Sequence, residues 1–142
     1  MIEQRLGCPI REFFAREGEA AFRDIESAVI AELAAGAGGV IATGGGTVLR
    51  EDNRARLREA GTVIYLRSSP ESLWRRVQHD RNRPLLQVAD PMGKLRELHA
   101  ERDPLYAQTA HFILETGRPT VPVLVGKVLM QLELAGLVPP PP

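Results

Sequence analysis

The stretch Val40-Ile41-Ala42-Thr43-Gly44-Gly45-Gly46-Thr47 joins a short apolar run to three consecutive glycines. The apolar residues are typical of a buried strand, and we predict a strand over Val40 to Thr43. Glycines at the end of such a strand let the backbone approach a ligand where any side chain would obstruct it. An isolated glycine triplet is better interpreted as a flexible turn. The arginine-containing segments elsewhere in the chain favour a small-molecule site at this triplet.

On both sides of this stretch, apolar residues recur at helical spacing or form short runs of strand type. Ser69-Pro70 and Asp90-Pro91 each place a capping side chain before a proline at the first helical position, which predicts a helix start. We expect Pro104 to kink or end the helix that begins at Pro91. The predicted helices are Pro9–Glu17, Glu19–Ala35, Asp52–Ala60, Pro70 to about His79, the helix from Pro91, and Val121–Leu134, and the further strands are Thr62–Leu66 and His111–Glu115.

The alternation of strands and helices predicts an α/β fold, a parallel sheet with helices on both faces. Ligands of open parallel sheets bind beyond the carboxyl ends of the strands, and the glycine triplet follows one such end. The arginines from Arg50 to Arg58 are interpreted as a solvated helix face.

Composition excludes several classes of protein. The chain has 142 residues, 44% of them hydrophobic, which is enough for one domain with a core. Lys+Arg and Asp+Glu are equal at 18 each, so no nucleic-acid partner is expected. Cys8 is the single cysteine, which permits no internal disulfide and favours the cytoplasm. No apolar run approaches the roughly twenty residues of a membrane span, so no membrane partner is expected.

Two residues of the second predicted helix form a candidate pair. Arg23 and Glu26 are three residues apart and therefore neighbours on the helix surface, where such pairs usually add only a few tenths of a kcal/mol. If this helix faces the glycines, Glu26 instead holds Arg23 in one rotamer. The planar guanidinium of Arg23 can then bind a carboxylate through two hydrogen bonds.

Three further arginines are candidates for an anion site. Arg83 lies in a charged loop, which is interpreted either as a solvated surface or as a lid that closes over phosphates. Arg76 precedes that loop and can stack on a base. Arg102 lies two residues before Pro104, which can direct it across a cleft. The histidines His79, His99 and His111 are too scattered to indicate a local metal site.

Taken in order, these motifs resemble the shikimate kinase family over essentially the whole chain to about Leu134. The resemblance rests on the segments 2–5 (IEQR), 18–19 (GE), 22–26 (FRDIE), 44–46 (GGG), 83–86 (RPLL) and 102–106 (RDPLY). It implies a P-loop, nucleoside-monophosphate-kinase-like fold. It also implies transfer of the ATP γ-phosphoryl group to the 3-hydroxyl of shikimate, with Mg²⁺, in chorismate and aromatic amino acid biosynthesis.

The resemblance also implies roles for individual residues. Shikimate would be held by Arg23, Gly44, Gly45, Gly46 and Arg102, with both arginines on its carboxylate and Glu26 supporting Arg23. Arg83 would be the catalytic lid arginine near the phosphates. The nucleotide would be bound by Arg76 and Arg83, and, as a looser match, by Arg118 and Pro119.

The sequence departs from the family pattern in one respect. It contains no G-x-x-x-x-G-K-[ST] segment, the loop that cradles phosphates and binds Mg²⁺, and no Asp-x-Asp segment before Ile2. We therefore expect a shikimate-kinase-like domain at 1–136 that lacks the first strand, P-loop and first helix, followed by a Pro-rich tail at 137–142. A misassigned start codon or fragmentary gene model explains this most simply. We expect no metal ligand and no kinase activity in this chain.

Two alternatives to a kinase of shikimate remain open. One is a non-catalytic regulator that binds shikimate without ATP dependence. The other is a kinase of the same fold that acts on another small molecule, such as a sugar acid. Arg23, the glycine triplet and Arg102 argue against the latter, since they resemble shikimate recognition. The family enzyme is expected to be a monomer in its full-length form.

Overall fold

The computed structural model describes residues 1–79, 86, 88–117 and 120–140. Within these ranges the chain forms seven α-helices, a 3₁₀ helix and a two-stranded sheet. In chain order the elements are α1 (Ile2–Leu6), α2 (Ile10–Glu17), α3 (Glu19–Ala35), the 3₁₀ helix (Gly45–Leu49), α4 (Glu51–Ala60), β1 (Ile64–Arg67), α5 (Pro70–Val77), α6 (Pro91–Thr109), β2 (Phe112–Glu115) and α7 (Val121–Leu134).

The helices α2 and α3 lie where the apolar spacing predicts them. Gly18 separates them with a φ of 88°, a conformation that L side chains rarely adopt, so this turn requires glycine. The rings of Phe14 and Phe22 pack 4.8 Å apart across the turn. Together with the 3₁₀ helix, these helices contribute the buried apolar core, which consists of Phe13, Phe22, Val29, Ile30 and Val48.

The two strands pair in parallel, as predicted. Ile64 is in register with Phe112, and Arg67 is in register with Glu115. Both helix starts that were predicted from a cap followed by proline are also confirmed. The side chain of Ser69 accepts a hydrogen bond from the Ser72 N–H, and that of Asp90 accepts one from the Gly93 N–H. These caps satisfy backbone donors that a helix start leaves without a partner.

The predicted strand over Val40 to Thr43 is wrong. These residues have no regular secondary structure, and Val40 is 100% exposed. A strand forms only when a neighbouring strand receives its backbone hydrogen bonds, and none of the described strands lies beside this segment. The segment leads instead into the 3₁₀ helix, which packs against α3, α4 and α6.

Of the two outcomes expected at Pro104, a kink or an end of the helix, the end does not occur, since α6 continues through the proline to Thr109. Contacts on both sides of the proline hold the helix in place. Asp103 accepts hydrogen bonds from the side chains of Tyr65 and Arg67 on β1, and Tyr106 donates one to the backbone of Gly45. These interactions offset the missing N–H and the steric cost of proline inside a helix.

The arginines of α4 are not simply a solvated face. Arg54 donates to the carbonyl of Val48 at 2.6 Å, and the buried Asn53 donates to that of Thr47 at 3.0 Å. At the other end of α4, Arg58 reaches the last carbonyls of α6, including that of Thr109 at 2.9 Å. The helix α4 therefore connects the 3₁₀ helix to α6.

The last helix, α7, contains no buried residue, and its apolar side chains include Val121, 74% exposed, and Leu134, 79% exposed. None of the helices in the described ranges is long and apolar enough to cross a membrane.

Candidate substrate site at the glycine loop

The guanidinium of Arg23 is held inside the fold. Its side chain donates to Glu26 at 3.0 Å and to Glu19 at 3.3 Å, and only 9% of the residue is exposed. Glu26 is itself only 3% exposed, so the pair is a buried one and not a surface contact. The guanidinium carbon also lies 5.2 Å from the ring centroid of Phe22. With two carboxylates and an aromatic ring around it, Arg23 has little rotamer freedom.

The glycine loop, which we define as residues 44–46, lies against this guanidinium. A Cβ at Gly46 would overlap the guanidinium of Arg23, and one at Gly44 would lie 3.5 Å from the carboxylate of Glu26. None of these three glycines has a positive φ. Close approach of a side chain to the backbone therefore requires glycine at position 46, whereas a Cβ at Gly44 would make an ordinary contact.

The middle glycine faces α6. A Cβ at Gly45 would lie 2.9 Å from the hydroxyl of Tyr106 and 3.4 Å from a terminal nitrogen of Arg102. The loop is thus placed between Arg23 on α3 and Arg102 on α6. The residues predicted to bind substrate, Arg23, Gly44, Gly45, Gly46 and Arg102, are brought together in this way, with Glu26 beside them.

Arg102 differs from Arg23 in its partners. Both residues are buried, Arg102 with 8% of its surface exposed, and both have an Nε atom without a hydrogen-bond partner, so the difference lies in the carboxylates around them. Within the described ranges no carboxylate forms an ion pair with it. A buried cation without a counter-charge is costly, and an anionic ligand is the simplest group to remove that cost.

Next to Arg102, Asp103 fixes α6 to the sheet. Its carboxylate accepts a 2.8 Å hydrogen bond from the Tyr65 hydroxyl and a 3.0 Å bond from Arg67. Burial alone would raise the pKa of Asp103, but these hydrogen bonds and the charge of Arg67 outweigh it, and the pKa is lowered. Burial raises the pKa of Tyr65, and the neighbouring carboxylate raises it further. Asp103 therefore stays ionised and Tyr65 stays protonated at neutral pH.

Of the predicted nucleotide-binding residues, the structure describes Arg76, which does not join this cluster. Arg76 donates to Ser68 at 3.2 Å, to Thr116 at 3.5 Å and to the carbonyl of Gly117 at 3.3 Å, all of which follow the ends of β1 and β2. Its side chain bridges the two strand ends. Arg83, Arg118 and Pro119 lie outside the residues that the structure describes.

The residues around the loop that sequence reasoning left without a role are Asn53 and Tyr106. Asn53 is 1% exposed, although it lies in α4, whose polar sequence predicted a solvent-exposed helix face. Tyr106 carried a usable signal, because it follows Arg102 by four residues and so lies on the same helix face.

The shikimate kinase family model matches residues 1–133. The chain belongs to the shikimate kinase family. It is 59% identical to the shikimate kinase of Ralstonia nicotianae over 140 residues, which cover 99% of this chain and 74% of that protein. It is 57% identical to the shikimate kinase of Paracidovorax citrulli over 145 residues, which cover 100% of this chain and 79% of the relative.

Solved shikimate kinases have the same fold. The enzyme of Acinetobacter baumannii, in complex with shikimate, superposes with a TM-score of 0.90 at 42% identity, over 95% of this chain and 75% of that one. The enzyme of Bacteroides thetaiotaomicron gives a TM-score of 0.81 at 29% identity, over 96% of this chain and 80% of that one. The α/β fold class predicted from the sequence is therefore confirmed, and so is the family.

Proposed function

We propose that the cluster around the glycine loop binds shikimate, and that the 3-hydroxyl of shikimate accepts the γ-phosphoryl group of ATP. Membership of the shikimate kinase family and the similarity to a protein solved with shikimate support this proposal. The observation that carries it is the buried guanidinium of Arg102, which has no carboxylate partner within the described ranges and lies beside the glycine loop.

The two arginines have different tasks in this proposal. Arg23 is already neutralised in part by Glu26 and Glu19, so its guanidinium is pre-oriented and gives the site its shape. Arg102 supplies the uncompensated positive charge. A carboxylate bound between them gains charge-assisted hydrogen bonds.

ATP and Mg²⁺ enter the proposal through the family. Within the described ranges no three His, Cys, Asp or Glu side chains are clustered so that they could hold a metal ion. Arg76 can contribute an exposed cation beside the strand ends, and we propose it for the nucleotide side of the reaction. By the same resemblance we propose Arg83, Arg118 and Pro119 for the nucleotide, with Arg83 as the catalytic arginine.

Calorimetric titration of the 142-residue chain with shikimate tests the site. The Arg102→Met variant should bind shikimate roughly 10- to 100-fold more weakly, the loss expected for charge-assisted hydrogen bonds. Arg96→Met is the matched control, because Arg96 lies on the same helix and, among the described residues, pairs only with Glu71 at an exposed position. The methyl ester of shikimate has no carboxylate charge, so it should bind wild type weakly. Its affinities for wild type and for Arg102→Met should be similar. Equal binding of shikimate by wild type and Arg102→Met would contradict the proposal.

Kinase activity of this polypeptide is a separate question. The prediction that it has none rests on the absence of a G-x-x-x-x-G-K-[ST] segment from its sequence. Release of ADP that depends on shikimate and exceeds a protein-free blank would contradict that prediction. Saturable binding without turnover would agree both with it and with the alternative of a non-catalytic shikimate-binding regulator.

We also propose the domain division at 1–136 and 137–142, a cytoplasmic location and, for the full-length enzyme, a monomeric state. The family match over residues 1–133 and the end of α7 at Leu134 support the division. Sedimentation velocity measures the oligomeric state, and removal of residues 137–142 should leave the unfolding temperature unchanged.

A further inference from the structure

The hydroxyl of Tyr106 on α6 connects that helix to the glycine loop. It donates a 2.8 Å hydrogen bond to the carbonyl oxygen of Gly45. Burial raises the pKa of Tyr106, so the hydroxyl keeps its proton and remains a donor at neutral pH. The loop backbone is therefore attached to α6 by a bond that persists over the physiological pH range.

The ring that carries this hydroxyl has little freedom to move. It packs against the ring of Tyr65, with centroids 4.9 Å apart at an angle of 48°. Tyr65 is itself held by its hydrogen bond to Asp103. The side chain of Tyr106 thus forms a rigid connection between β1, α6 and the loop.

This bond, together with the 3₁₀ helix that begins at Gly45, fixes the direction of one peptide unit. In a trans peptide the C=O and the following N–H point in opposite directions, and the chain has no cis peptide among its described residues. When Tyr106 holds the carbonyl of Gly45, the N–H of Gly46 must point away from Tyr106. Gly46 is the residue against which Arg23 lies. One hydrogen bond therefore orients a backbone donor next to a substrate-binding arginine.

The same side chain is linked to the other arginine. Tyr106 follows Arg102 by one helical turn, so both side chains project from the same face of α6. Both approach Gly45, Tyr106 through its hydroxyl and Arg102 through a terminal nitrogen.

We propose that Tyr106 is a positioning residue for shikimate recognition, whose hydroxyl holds the Gly45–Gly46 peptide in a fixed place relative to Arg102. This inference rests on the proposed function of the site. It assigns no chemical step to Tyr106. It predicts that phenylalanine cannot replace the tyrosine at position 106 without loss of affinity.

The test compares two substitutions that each remove one hydroxyl and keep the ring. Tyr106→Phe should weaken shikimate binding by roughly three- to tenfold, the range of one lost hydrogen bond. Tyr65→Phe loses its bond to Asp103, which Arg67 still holds, so its affinity for shikimate should stay within about twofold of wild type. Comparable losses of affinity in both variants would show a general effect of stability and would overturn the proposal.

A second comparison uses Gly45→Ala. The added Cβ would lie 2.9 Å from the Tyr106 hydroxyl. Much of the loss of shikimate affinity that Gly45→Ala causes should therefore disappear when that hydroxyl is absent. The factor by which Gly45→Ala weakens binding should be clearly smaller in the Tyr106→Phe background than in wild type. Equal factors in the two backgrounds would mean that the hydroxyl does not act through the loop.

An NMR measurement separates this inference from the proposed function. In protein labelled with ¹⁵N-glycine and free of ligand, the Gly46 amide resonance should shift in Tyr106→Phe and stay in place in Tyr65→Phe. An unmoved resonance overturns the inference even if wild type binds shikimate. If the Gly46 resonance shifts in Tyr106→Phe but wild type binds no shikimate, the link between Tyr106 and the loop is supported. The proposed function is then rejected, and with it the role of Tyr106 in recognition.

Discussion

The guanidinium of Arg23 occupies the space that any side chain at Gly46 would need. Arg23 is in turn fixed by the buried carboxylate of Glu26, 3.0 Å away. The glycine is thus required by the packing of a charged group, since its own backbone conformation is open to other residues. For this reason we expect Gly46, a residue without a side chain, to be the position of the site most sensitive to substitution.

Gly46→Ala should therefore disrupt the site directly. The added methyl group must displace Arg23, which we expect to cost about 1–3 kcal/mol of stability and to weaken shikimate binding by at least about tenfold. Gly39→Ala is the control, because a Cβ there meets nothing within 4 Å. Urea unfolding and calorimetry measure both effects. A Gly46→Ala protein with the stability and affinity of wild type would refute this account of the loop.

The two carboxylates that hold Arg23 should contribute unequally. Glu26 is buried, whereas the side chain of Glu19 is 44% exposed. Glu26→Gln should lower the free energy of unfolding by about 2–4 kcal/mol, because it leaves a buried cation with less compensation. Glu19→Gln should cost less than about 1 kcal/mol. If chemical denaturation gave the reverse order, burial would not determine the strength of these pairs.

Asp103 should make stability depend on acid pH. The pKa of Asp103 is lower in the folded protein than the ordinary value of about 3.9. Its contribution to the free energy of unfolding is therefore complete above that ordinary value and is lost as the pH falls through the folded-state pKa. Asp103→Asn should be less stable than wild type at pH 7, and the difference should shrink below about pH 4. Thermal unfolding from pH 7 to pH 2.5 measures it. A difference that grows towards low pH would contradict the direction of the shift.

Arg58 should stabilise the end of α6. Its guanidinium donates to the carbonyls of Gln108, Thr109 and Ala110 at 3.3, 2.9 and 3.2 Å, where a positive charge also complements the helix dipole. Arg58→Ala should cost about 0.5–1.5 kcal/mol. Within the described part of the chain, Arg56 on the same helix forms just one ion pair, an exposed one with Asp52, so Arg56→Ala should cost less. Denaturant midpoints of the two variants compare them, and equal midpoints would show that the cap contributes nothing.

Local sequence signals predicted much of this fold. The bounds of α3 agree with prediction because apolar spacing and a flanking glycine act within a few residues of one another. The caps at Ser69 and Asp90 are equally local, since each satisfies a donor three residues away. The ordered motifs from Arg23 to Tyr106 also carried the family resemblance, which the comparisons confirm.

What the sequence by itself determined was therefore helices α2 to α7, the caps at Ser69 and Asp90, and the parallel strands. The residues that bind substrate stay a prediction. Only the tertiary structure decided that Val40 lies exposed outside any strand, that α6 continues through Pro104, and that the Tyr106 hydroxyl reaches Gly45. The physical reason is the range of the interactions. A cap or an apolar stripe is complete within one element, whereas strand pairing, a tolerated proline and a buried arginine depend on what distant parts of the chain place beside them.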